Sequence, residues 1–310
     1  MLTKAFGSWP KVEIAVEPLE HLRWKLEGGR SGGYPAIIVE QDGALVGAYI
    51  IAIRRVKFGG RVLTATGGSD VAVLPEYREQ GVFGAIADHM RSENHSRFDL
   101  SLFYRSGHEA VTRVVGRAER GLFGNYVEVH VADLTARLHD TGSGPLTVRE
   151  VAAFDERING FWEAASQPFD FIPARTRDYL DWRYCDRRGG AFSTTIAEAG
   201  EHVLGYLITR TSLGRGYIAD ALALPGRLDV VAALTSEALT RLAATGIHTV
   251  ECWLPARHPY GETLARYGFV RMKTSPRFMY RGQRASEAEL SILRDPATAV
   301  HLMIGDTDLV

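Results

Sequence analysis

The chain repeats one pattern twice, and this duplication limits the folds it can adopt more than any other feature of the sequence. Trp24 and Trp182 each stand 23 residues before a glycine, Gly47 and Gly205, and the segments between them align without a gap. A repeat of this length is typical of a supersecondary unit that is built twice.

Each copy also contains an apolar run, a proline turn and the start of an amphipathic helix. The first reads VAVLPEYREQGVFGAI (71–86) and the second ALALPGRLDVVAAL (221–234), aligned at Pro75 and Pro225. Residues at the spacing of one helix face follow both turns: Val82, Ile86, His89 and Met90 in the first copy, and Val231, Leu234, Ala238 and Leu242 in the second. Each copy is predicted to form strand, hairpin, strand, turn, helix, strand, helix and strand, an α+β fold in duplicate.

A linker-like segment separates the copies. Residues 137–150, RLHDTGSGPLTVRE, are rich in Gly, Ser and Pro, which is typical of a domain boundary. We therefore predict a first unit at 1–140 and a second unit at 141–310. Near the end of the chain the sequence predicts a capped helix at 286–294 and then a strand.

Charge and cysteine content exclude several classes of function. A formal net charge of -1 and a pI near 6.8 give no basic surface for nucleic acid or an anionic membrane. The longest apolar run, 44–53, is shorter than the roughly 20 residues of a membrane span. Cys185 and Cys252 fit neither a disulfide framework nor a zinc site. We expect a cytoplasmic monomer or homodimer that binds no metal.

The proline turn of the first copy has the residues of an anion site. The next helix is predicted to begin near Arg78 or Gln80, and a helix N-terminus offers an anion unpaired N–H groups and partial positive charge. Gly81 lets a phosphate approach the backbone, and Arg78 adds a planar cation. A second interpretation stays open, in which Gly81 only relieves crowding and Arg78 is solvated.

These features resemble the acetyl-CoA-binding segment of the GNAT acyltransferase superfamily. The run Arg78-Glu79-Gln80-Gly81-Val82-Phe83 matches that family's Gln/Arg-x-x-Gly-x-Gly/Ala signature except at its last position. We expect the bulky side chain of Phe83 to point into the core. The segments DYLDWRY (178–184) and GDTD (305–308) resemble a tandem branch of bacterial GNAT proteins, which implies two GNAT-like units, each a mixed, mostly antiparallel sheet flanked by helices.

The resemblance implies a cofactor site in the first unit. Backbone groups of Val71, Ala72 and Val73 would run beside the pantetheine arm of acetyl-CoA, and Val71 N–H would polarise the thioester carbonyl. Gly67-Gly68 fits a bulge that redirects these amides, or equally a loose hairpin edge. The pyrophosphate would lie against the residues around the helix start, which are Arg78, Glu79, Gln80, Gly81, Val82, Phe83 and Gly84.

Acyl transfer also needs groups that move protons. An alkylammonium with a pKa of about 10 has to lose its proton before it can attack, and Asp70, beside Val71, is our first candidate for the base; it also fits a turn or cap aspartate. The tyrosine that usually protonates the thiolate in this family is missing, because Val114 or Arg117 stands at its place. The loop before that helix offers substitutes, namely Tyr104, Ser106 and His108.

The second copy lacks the anion-binding residues. Leu228 and Val231 stand where the first copy has Arg78 and Gly81, and Asp229 adds negative charge. One cofactor per chain is expected, with the second unit as a wall of the acceptor pocket. Residues that could line this pocket are Arg175, Arg177, Trp182 and Arg183, while Asp306 and Asp308 either hold an ammonium or form a solvated tail.

The sequence therefore predicts an N-acyltransferase that moves an acyl group from acetyl-CoA, or a related short acyl-CoA, to an amine of a small molecule. Two other classes stay open, because a fold does not fix the chemistry of its site. One is a non-catalytic acyl-CoA-binding or regulatory module. The other is an acyl-CoA hydrolase or decarboxylase.

Arg78→Glu tests the anion site. Reversal of this charge beside a pyrophosphate should remove most of the thermal stabilisation that acetyl-CoA gives the wild-type protein, since ligand binding raises stability only through affinity for the folded state. Thermal-shift measurements with and without acetyl-CoA give this stabilisation for the wild-type protein and for the variant. An unchanged shift in the variant would contradict the anion site.

Overall fold

A computed structural model of the protein describes residues 1–28, 35–104, 121–135, 146–273 and 276–309, apart from the side chains of 68 and 93–96. The unit boundary at 140/141 lies outside these residues and stays a prediction. The strands are β1 (Ala36–Gln41), β2 (Ala44–Phe58), β3 (Arg61–Val73), β4 (Leu100–Tyr104), β5 (Gly121–Leu122), β6 (Val127–Asp133), β7 (Thr147–Val151), β8 (Phe171–Pro173), β9 (Phe192–Ala199), β10 (His202–Ser212), β11 (Arg215–Ala223), β12 (Thr249–Pro255), β13 (Val270–Arg271) and β14 (Phe278–Gly282). The helices are α1 (Leu2–Phe6), α2 (Pro18–Glu27), α3 (Val82–Arg97), α4 (Arg157–Ala165), α5 (Arg177–Leu180), α6 (Leu228–Ala244), α7 (Gly261–Arg266) and α8 (Glu287–Leu290).

The described strands form two mixed sheets, as the duplicated α+β pattern predicts. One sheet has the order β1-β2-β3-β4-β14-β5, with β8 paired to β2, and the other has the order β13-β6-β12-β11-β10-β9-β7. In each sheet one parallel pair, β3 with β4 or β11 with β12, interrupts antiparallel neighbours. The helix between the members of each parallel pair, α3 or α6, is the crossover that such a pair needs.

The two halves of the chain exchange strands. β14, from near the end of the chain, lies between β4 and β5 in the first sheet. In return, β6 lies between β12 and β13 in the second sheet. The repeat predicts the strands but not this exchange, because a sequence pattern does not say which copy a strand pairs with.

The repeat is visible in the strand register. Gly47 pairs with Val73 in the first sheet, and Gly205 pairs with Ala223 in the second. A Cβ at Gly47 would lie 2.8 Å from the Val82 side chain on α3, and a Cβ at Gly205 would lie 2.7 Å from Val230 on α6. The repeated glycine is therefore needed because a helix packs directly on this point of each sheet.

The two repeated tryptophans contact each other. The rings of Trp24 and Trp182 stack with centroids 4.7 Å apart and planes 15° apart. Trp24 Nε1 donates to the carbonyl of Trp182 at 2.9 Å, and Trp182 Nε1 donates to the carbonyl of Trp24 at 3.2 Å. Equivalent residues that make equivalent contacts to each other mark a local pseudo-twofold axis between the units.

The helix faces follow the predicted periodicity with one exception. On α3, Val82, Ile86 and Met90 are buried, whereas His89 is exposed. All four residues predicted to form the inner face of α6 are buried. The helix predicted at 286–294 is α8 followed by a 3-10 turn, Ser291–Arg294, and a capping box of Ser286 and Glu289 begins it.

The end of the chain is not the predicted strand. Val300 makes a single bridge to Phe171, and Ile304–Asp306 form a 3-10 turn. Residues 300–307 are nevertheless almost completely buried. This tail, residues 300–309, lies against β11, and its Asp306 forms an ion pair with the buried Arg175.

The longer hairpin of the first copy joins the two halves. Its extension, at the ends of β2 and β3, pairs with β8 of the second half through Val56 and Pro173. The largest hydrophobic cluster contains Leu63 and Leu100 from the first sheet together with Tyr206 and Trp253 from the second. Both units therefore share one continuous core.

A double-mutant cycle on the tryptophans tests the pseudo-twofold contact. Trp24→Phe and Trp182→Phe should couple by about 1 kcal/mol in the free energy of unfolding, because each substitution changes the same stacked pair. Denaturant titration of the two single variants and the double variant measures the coupling. Leu239→Ala, in a separate core cluster, serves as the control and should be additive with Trp24→Phe to within about 0.5 kcal/mol. If the changes in the free energy of unfolding caused by the two tryptophan substitutions are additive, the contact is contradicted.

Candidate active site

A cleft opens between β3 and β4. These strands pair only from Ala65 to Gly67 with Leu100 to Leu102, and beyond that point they diverge. The register of β3 with β2 shifts between Gly68 and Val71, so β3 bulges at Ser69 and Asp70. The bulge that Gly67-Gly68 predicts is therefore present at the mouth of the cleft.

The bulge turns two backbone amides of β3 toward the cleft. Leu74 N–H donates to the carbonyl of Val46 on β2 at 2.9 Å. Alternate residues of an antiparallel strand face the same neighbour, so Ala72 also faces β2, whereas Val71 and Val73 face away from it. The N–H groups of Val71 and Val73 thus lie along the open side of the strand, where an extended ligand can pair with them as an added strand does.

The equivalent amides of the second unit are occupied by the protein itself. Ala221 N–H donates to the sulfur of Met303 at 3.2 Å, and Ala223 N–H donates to the hydroxyl of Tyr260 at 2.9 Å. Leu224 N–H donates to Leu204, which matches the bond of Leu74 in the first unit. The same strand geometry therefore exists twice, but α7 and the tail close the second cleft.

The start of α3 is open and has left-handed turns. Glu79 has φ 64° and Gly81 has φ 83°, and the helix begins at Val82, later than the sequence predicts. Consecutive N–H groups in such a turn form a concave anion-binding surface. A Cβ at Gly81 or at Gly84 would meet nothing within 4 Å, so there is room beside the backbone.

The second unit differs at this turn. The contacts of the repeated glycines place Val82 and Val230 at equivalent positions, so Asp229, not Val231, corresponds to Gly81. Asp229 lies in the first turn of α6 and forms an ion pair with Arg227 at 2.6 Å. The first turn of α3 has no acidic residue. A phosphate would therefore be repelled at α6 and favoured at α3.

Arg78 and Phe83 lie differently from the sequence expectation. The guanidinium of Arg78 donates to the carbonyls of Ala5 at 2.8 Å and Val73 at 3.3 Å, which fastens α1 to the end of β3. Phe83 is only half-buried, and Val82 takes the core position against Gly47 instead. A helix places neighbouring residues about 100° apart, so only one of the two can face the sheet.

A pocket lies between the two units where the cleft ends. One face of α2 lines it with His21, Trp24 and Lys25, which helical spacing brings together. Lys25 Nζ lies 2.6 Å from Asp70 Oδ2 and 2.9 Å from Ser69 Oγ, both on the bulge. Asp70 is therefore at the predicted place, but one of its carboxylate oxygens is engaged in an ion pair.

The tail brings a second carboxylate to the bulge. Asp308 Oδ2 accepts a hydrogen bond from Ser69 Oγ at 3.1 Å, and Asp308 lines the pocket together with Tyr104. Burial and the charge of Asp308 raise the pKa of Tyr104 to about 12, so its hydroxyl keeps its proton at neutral pH. Ser106, His108, Val114 and Arg117 lie outside the described residues.

A buried ion cluster holds the tail in this position. Arg175, fully buried, contacts Asp220 at 2.6 Å and Asp306 at 2.8 Å. Burial alone would raise the pKa of Asp220, but the charges and hydrogen bonds of Arg175 and His301 together outweigh it and lower the pKa. Arg183 also donates to the carbonyl of Thr307 at 3.2 Å. These contacts leave Asp308 as the carboxylate of the tail nearest the bulge.

The second-unit residues predicted for the pocket wall divide into three groups. Trp182 and Arg183 line the pocket. Arg175 lies behind the tail in the ion cluster, and Arg177 pairs with Glu156 at the start of α4. Asp306 is not solvated, because its carboxylate accepts from Arg175 and from Met303 N–H.

His21 is a pocket residue that the sequence argument missed. Its side chain is 1% exposed, and its Nδ1 lies 2.7 Å from the carbonyl of Arg188. Burial lowers the pKa of His21 to about 4, and the hydrogen bond to Arg188 does not offset this effect. The i, i+3, i+4 spacing of His21, Trp24 and Lys25 was the available signal, but it does not say which helix face meets a cleft.

Comparisons with known proteins agree with this geometry. Residues 5–104 match a family model described as an acetyltransferase (GNAT) domain, and this range contains the bulge, the open amides and the start of α3. The chain has the GNAT fold. No curated protein matches the sequence.

Solved structures with the GNAT fold cover most of the chain. A probable N-acyltransferase from Enterococcus faecalis V583 has 18% identity and a TM-score of 0.68, over 91% of this chain and 68% of that one. A GCN5-related N-acetyltransferase from Anabaena variabilis has 15% identity and a TM-score of 0.64 over the same shares. Saccharomyces cerevisiae N-myristoyltransferase with bound myristoyl-CoA has 10% identity and a TM-score of 0.58, over 87% and 72%. At these identities the likeness is one of fold.

The described residues contain neither a membrane-spanning helix nor a cluster of metal ligands. Within the described ranges, no helix combines the length and apolarity that a membrane crossing needs. Over the same residues, no three His, Cys, Asp or Glu side chains come together as ligands for a metal ion.

The protonation of His21 gives a test of the GNAT pocket. The unfolded chain takes up a proton on this histidine below pH 6.5, whereas the folded protein does so only near pH 4. The free energy of unfolding should therefore fall by about 1.4 kcal/mol per pH unit on this account as the pH decreases from 6.5 toward 4. His21→Gln should reduce the slope by that amount in denaturant titrations, and the exposed His202→Gln should leave it unchanged. An equal slope in both variants would mean that His21 is not held neutral.

Proposed function

We propose that the protein is an N-acyltransferase that transfers an acyl group from acetyl-CoA, or a related short acyl-CoA, to an amine of a small molecule. The observation that carries the proposal is the contrast between the two clefts. Val71 and Val73 turn their amides to an open cleft, whereas Met303 and Tyr260 take the equivalent amides of the second unit. A family match to GNAT acetyltransferases over residues 5–104 supports it.

The first cleft fits an acyl-CoA along its whole length. A pantetheine arm carries amide groups that pair with Val71 and Val73 as a β-strand would. The pyrophosphate would bind the N–H groups from Glu79 to Gly84 at the start of α3, where the helix dipole favours an anion. The N–H of Val71 would polarise the thioester carbonyl, since a fixed donor aimed at a developing negative charge stabilises the transition state.

One acyl-CoA per chain follows from the second unit. Its amides are satisfied by Met303 and Tyr260, and Asp229 adds a negative charge at the start of α6. The second unit instead contributes Trp182, Arg183 and the tail to the pocket at the end of the first cleft. The acceptor would bind there, because pockets between domains are common ligand sites.

The carboxylates that flank Ser69 are proposed to bind the ammonium form of the acceptor and take its proton. Asp70 is held by Lys25, whereas the carboxylate of Asp308 accepts a hydrogen bond from the hydroxyl of Ser69 and pairs with no cation of the described residues, so Asp308 is the more available of the two. The freed nitrogen then bonds to the carbonyl carbon and the carbon–sulfur bond breaks. Much of the rate would come from holding the two reactants in line.

Tyr104 is proposed to assist the departure of the thiolate. It lines the same pocket, and burial with the nearby charge of Asp308 keeps its hydroxyl protonated. A protonated phenol donates a hydrogen bond, and then a proton, to the leaving sulfur. His108 remains a second candidate for this step from the sequence alone.

Gly84→Asp tests the acyl-CoA site without damage to the fold. A Cβ at Gly84 meets open space, and an acidic residue in the first turn stabilises a helix by about 0.3–1 kcal/mol. The melting temperature without ligand should therefore stay the same or rise, while the stabilisation by acetyl-CoA should be lost through repulsion of the pyrophosphate. Gly84→Asn introduces a side chain of the same shape without the charge, and this variant should keep most of the stabilisation by acetyl-CoA. Equal responses of the two variants to acetyl-CoA would overturn the site.

The same proteins separate the alternative functions. Release of free thiol from acetyl-CoA is measured with a panel of primary amines and without any amine. Amine-dependent release that Gly84→Asp abolishes supports the acyltransferase. Binding without release with any amine would favour an acyl-CoA-binding module, and release that needs no amine would favour a hydrolase.

A further inference from the structure

His21 lies in an aromatic wall of the inter-unit pocket. Its ring is stacked on Trp24 with centroids 5.1 Å apart and lies at 59° to Trp9, 5.5 Å away. One turn further along α2 is Lys25. The imidazole is therefore fixed in place by packing on two sides, and it is buried although it lines the pocket.

The hydrogen bond to Arg188 decides which ring nitrogen carries the proton. A backbone carbonyl only accepts, so Nδ1 of His21 has to be the donor at 2.7 Å. In the neutral ring Nε2 is then an acceptor. Nε2 is buried and has no hydrogen-bond partner among the described residues. Native proteins rarely leave a buried acceptor unpaired, because the lost hydration costs about 1–3 kcal/mol.

Burial lowers the pKa of His21 and keeps this acceptor neutral, and two neighbouring cations act in the same direction. The charged groups that act on the ring are Lys25 on the same helix, Arg183 from the second unit and Asp70 on the bulge, and the two cations disfavour a second proton. Lys25 itself is engaged by Ser69 and Asp70. His21 therefore lines the pocket, has an unpaired acceptor nitrogen and is unsuited to remove a proton from an ammonium.

We infer that Nε2 of His21 accepts a hydrogen bond from a second donor group of the acceptor substrate, distinct from the amine that is acylated. This inference rests on the proposed function. His21 and Asp308 are separated by one turn of α2 and by the hydrogen bonds from Lys25 through Ser69 to Asp308. The substrate class is an amine with a hydroxyl or a second N–H group at some distance from the reacting nitrogen, such as an amino alcohol or a diamine.

Matched pairs of amines test the inference. The probes are propylamine with 3-aminopropanol, pentylamine with 5-aminopentanol and with cadaverine, and phenethylamine with tyramine, which differ only in the second donor. Affinity is read by thermal shift in the presence of saturating coenzyme A, and KM and kcat are read by thiol release where turnover occurs. Wild type should prefer the donor member of at least one pair roughly tenfold, since a buried acceptor left unpaired costs that much.

Two variants assign that preference to His21. His21→Phe removes the acceptor but keeps a ring of similar size, and the preference for the member with the second donor should disappear, with the change seen in KM. His21→Gln keeps an acceptor oxygen and should retain part of the preference for the amine with a second donor. A preference that survives in His21→Phe, or its absence from every pair in the wild type, overturns the inference. If acetyl-CoA does not raise the melting temperature of the wild-type protein, the proposed function itself is wrong.

Discussion

The exchange of β6 and β14 between the sheets is the constraint on which the rest of the structure depends. Each sheet is completed by a strand from the other half of the chain, so the units cannot separate without breaking the pairings of β14 with β4 and β5, those of β6 with β12 and β13, and the core they share. The Trp24–Trp182 pair lies between them with reciprocal hydrogen bonds. A pocket built from both units is therefore held at fixed geometry, as positioning of two reactants requires.

Duplication followed by divergence accounts for the asymmetry of the two clefts. Each unit has a pair of parallel strands that diverge, and the first strand of each pair contains a bulge. The bulge lies at Ser69–Asp70 in β3 and near Ala219 in β11. In the first unit Asp70 of the bulge pairs with Lys25, and in the second unit Asp220 is buried with Arg175. The tail binds in the cleft of the second unit, and this position brings Asp308 of the tail to the bulge of the first unit.

Local signals in the sequence predicted much of the fold. Helical spacing predicted the buried face of α6, and Gly67-Gly68 fitted the bulge that follows them in β3. Both features depend on residues that are close together in the chain. The same reasoning misplaced Phe83, His89 and the final strand. Whether Val82 or Phe83 faces the sheet depends on where the helix begins, and the tail is buried by pairing with Arg175, a residue 131 positions away.

The sequence by itself determined that the chain is a duplicated α+β protein in which the first copy has the Arg-x-x-Gly run before its central helix and the second copy has the acidic residue Asp229 at this turn. Only the tertiary structure decided which amides are open, which carboxylate reaches the bulge and where His21 points. Those facts come from contacts between residues far apart in the chain, including the exchange of strands. Such contacts depend on how both units pack, and no local pattern of residue types encodes them.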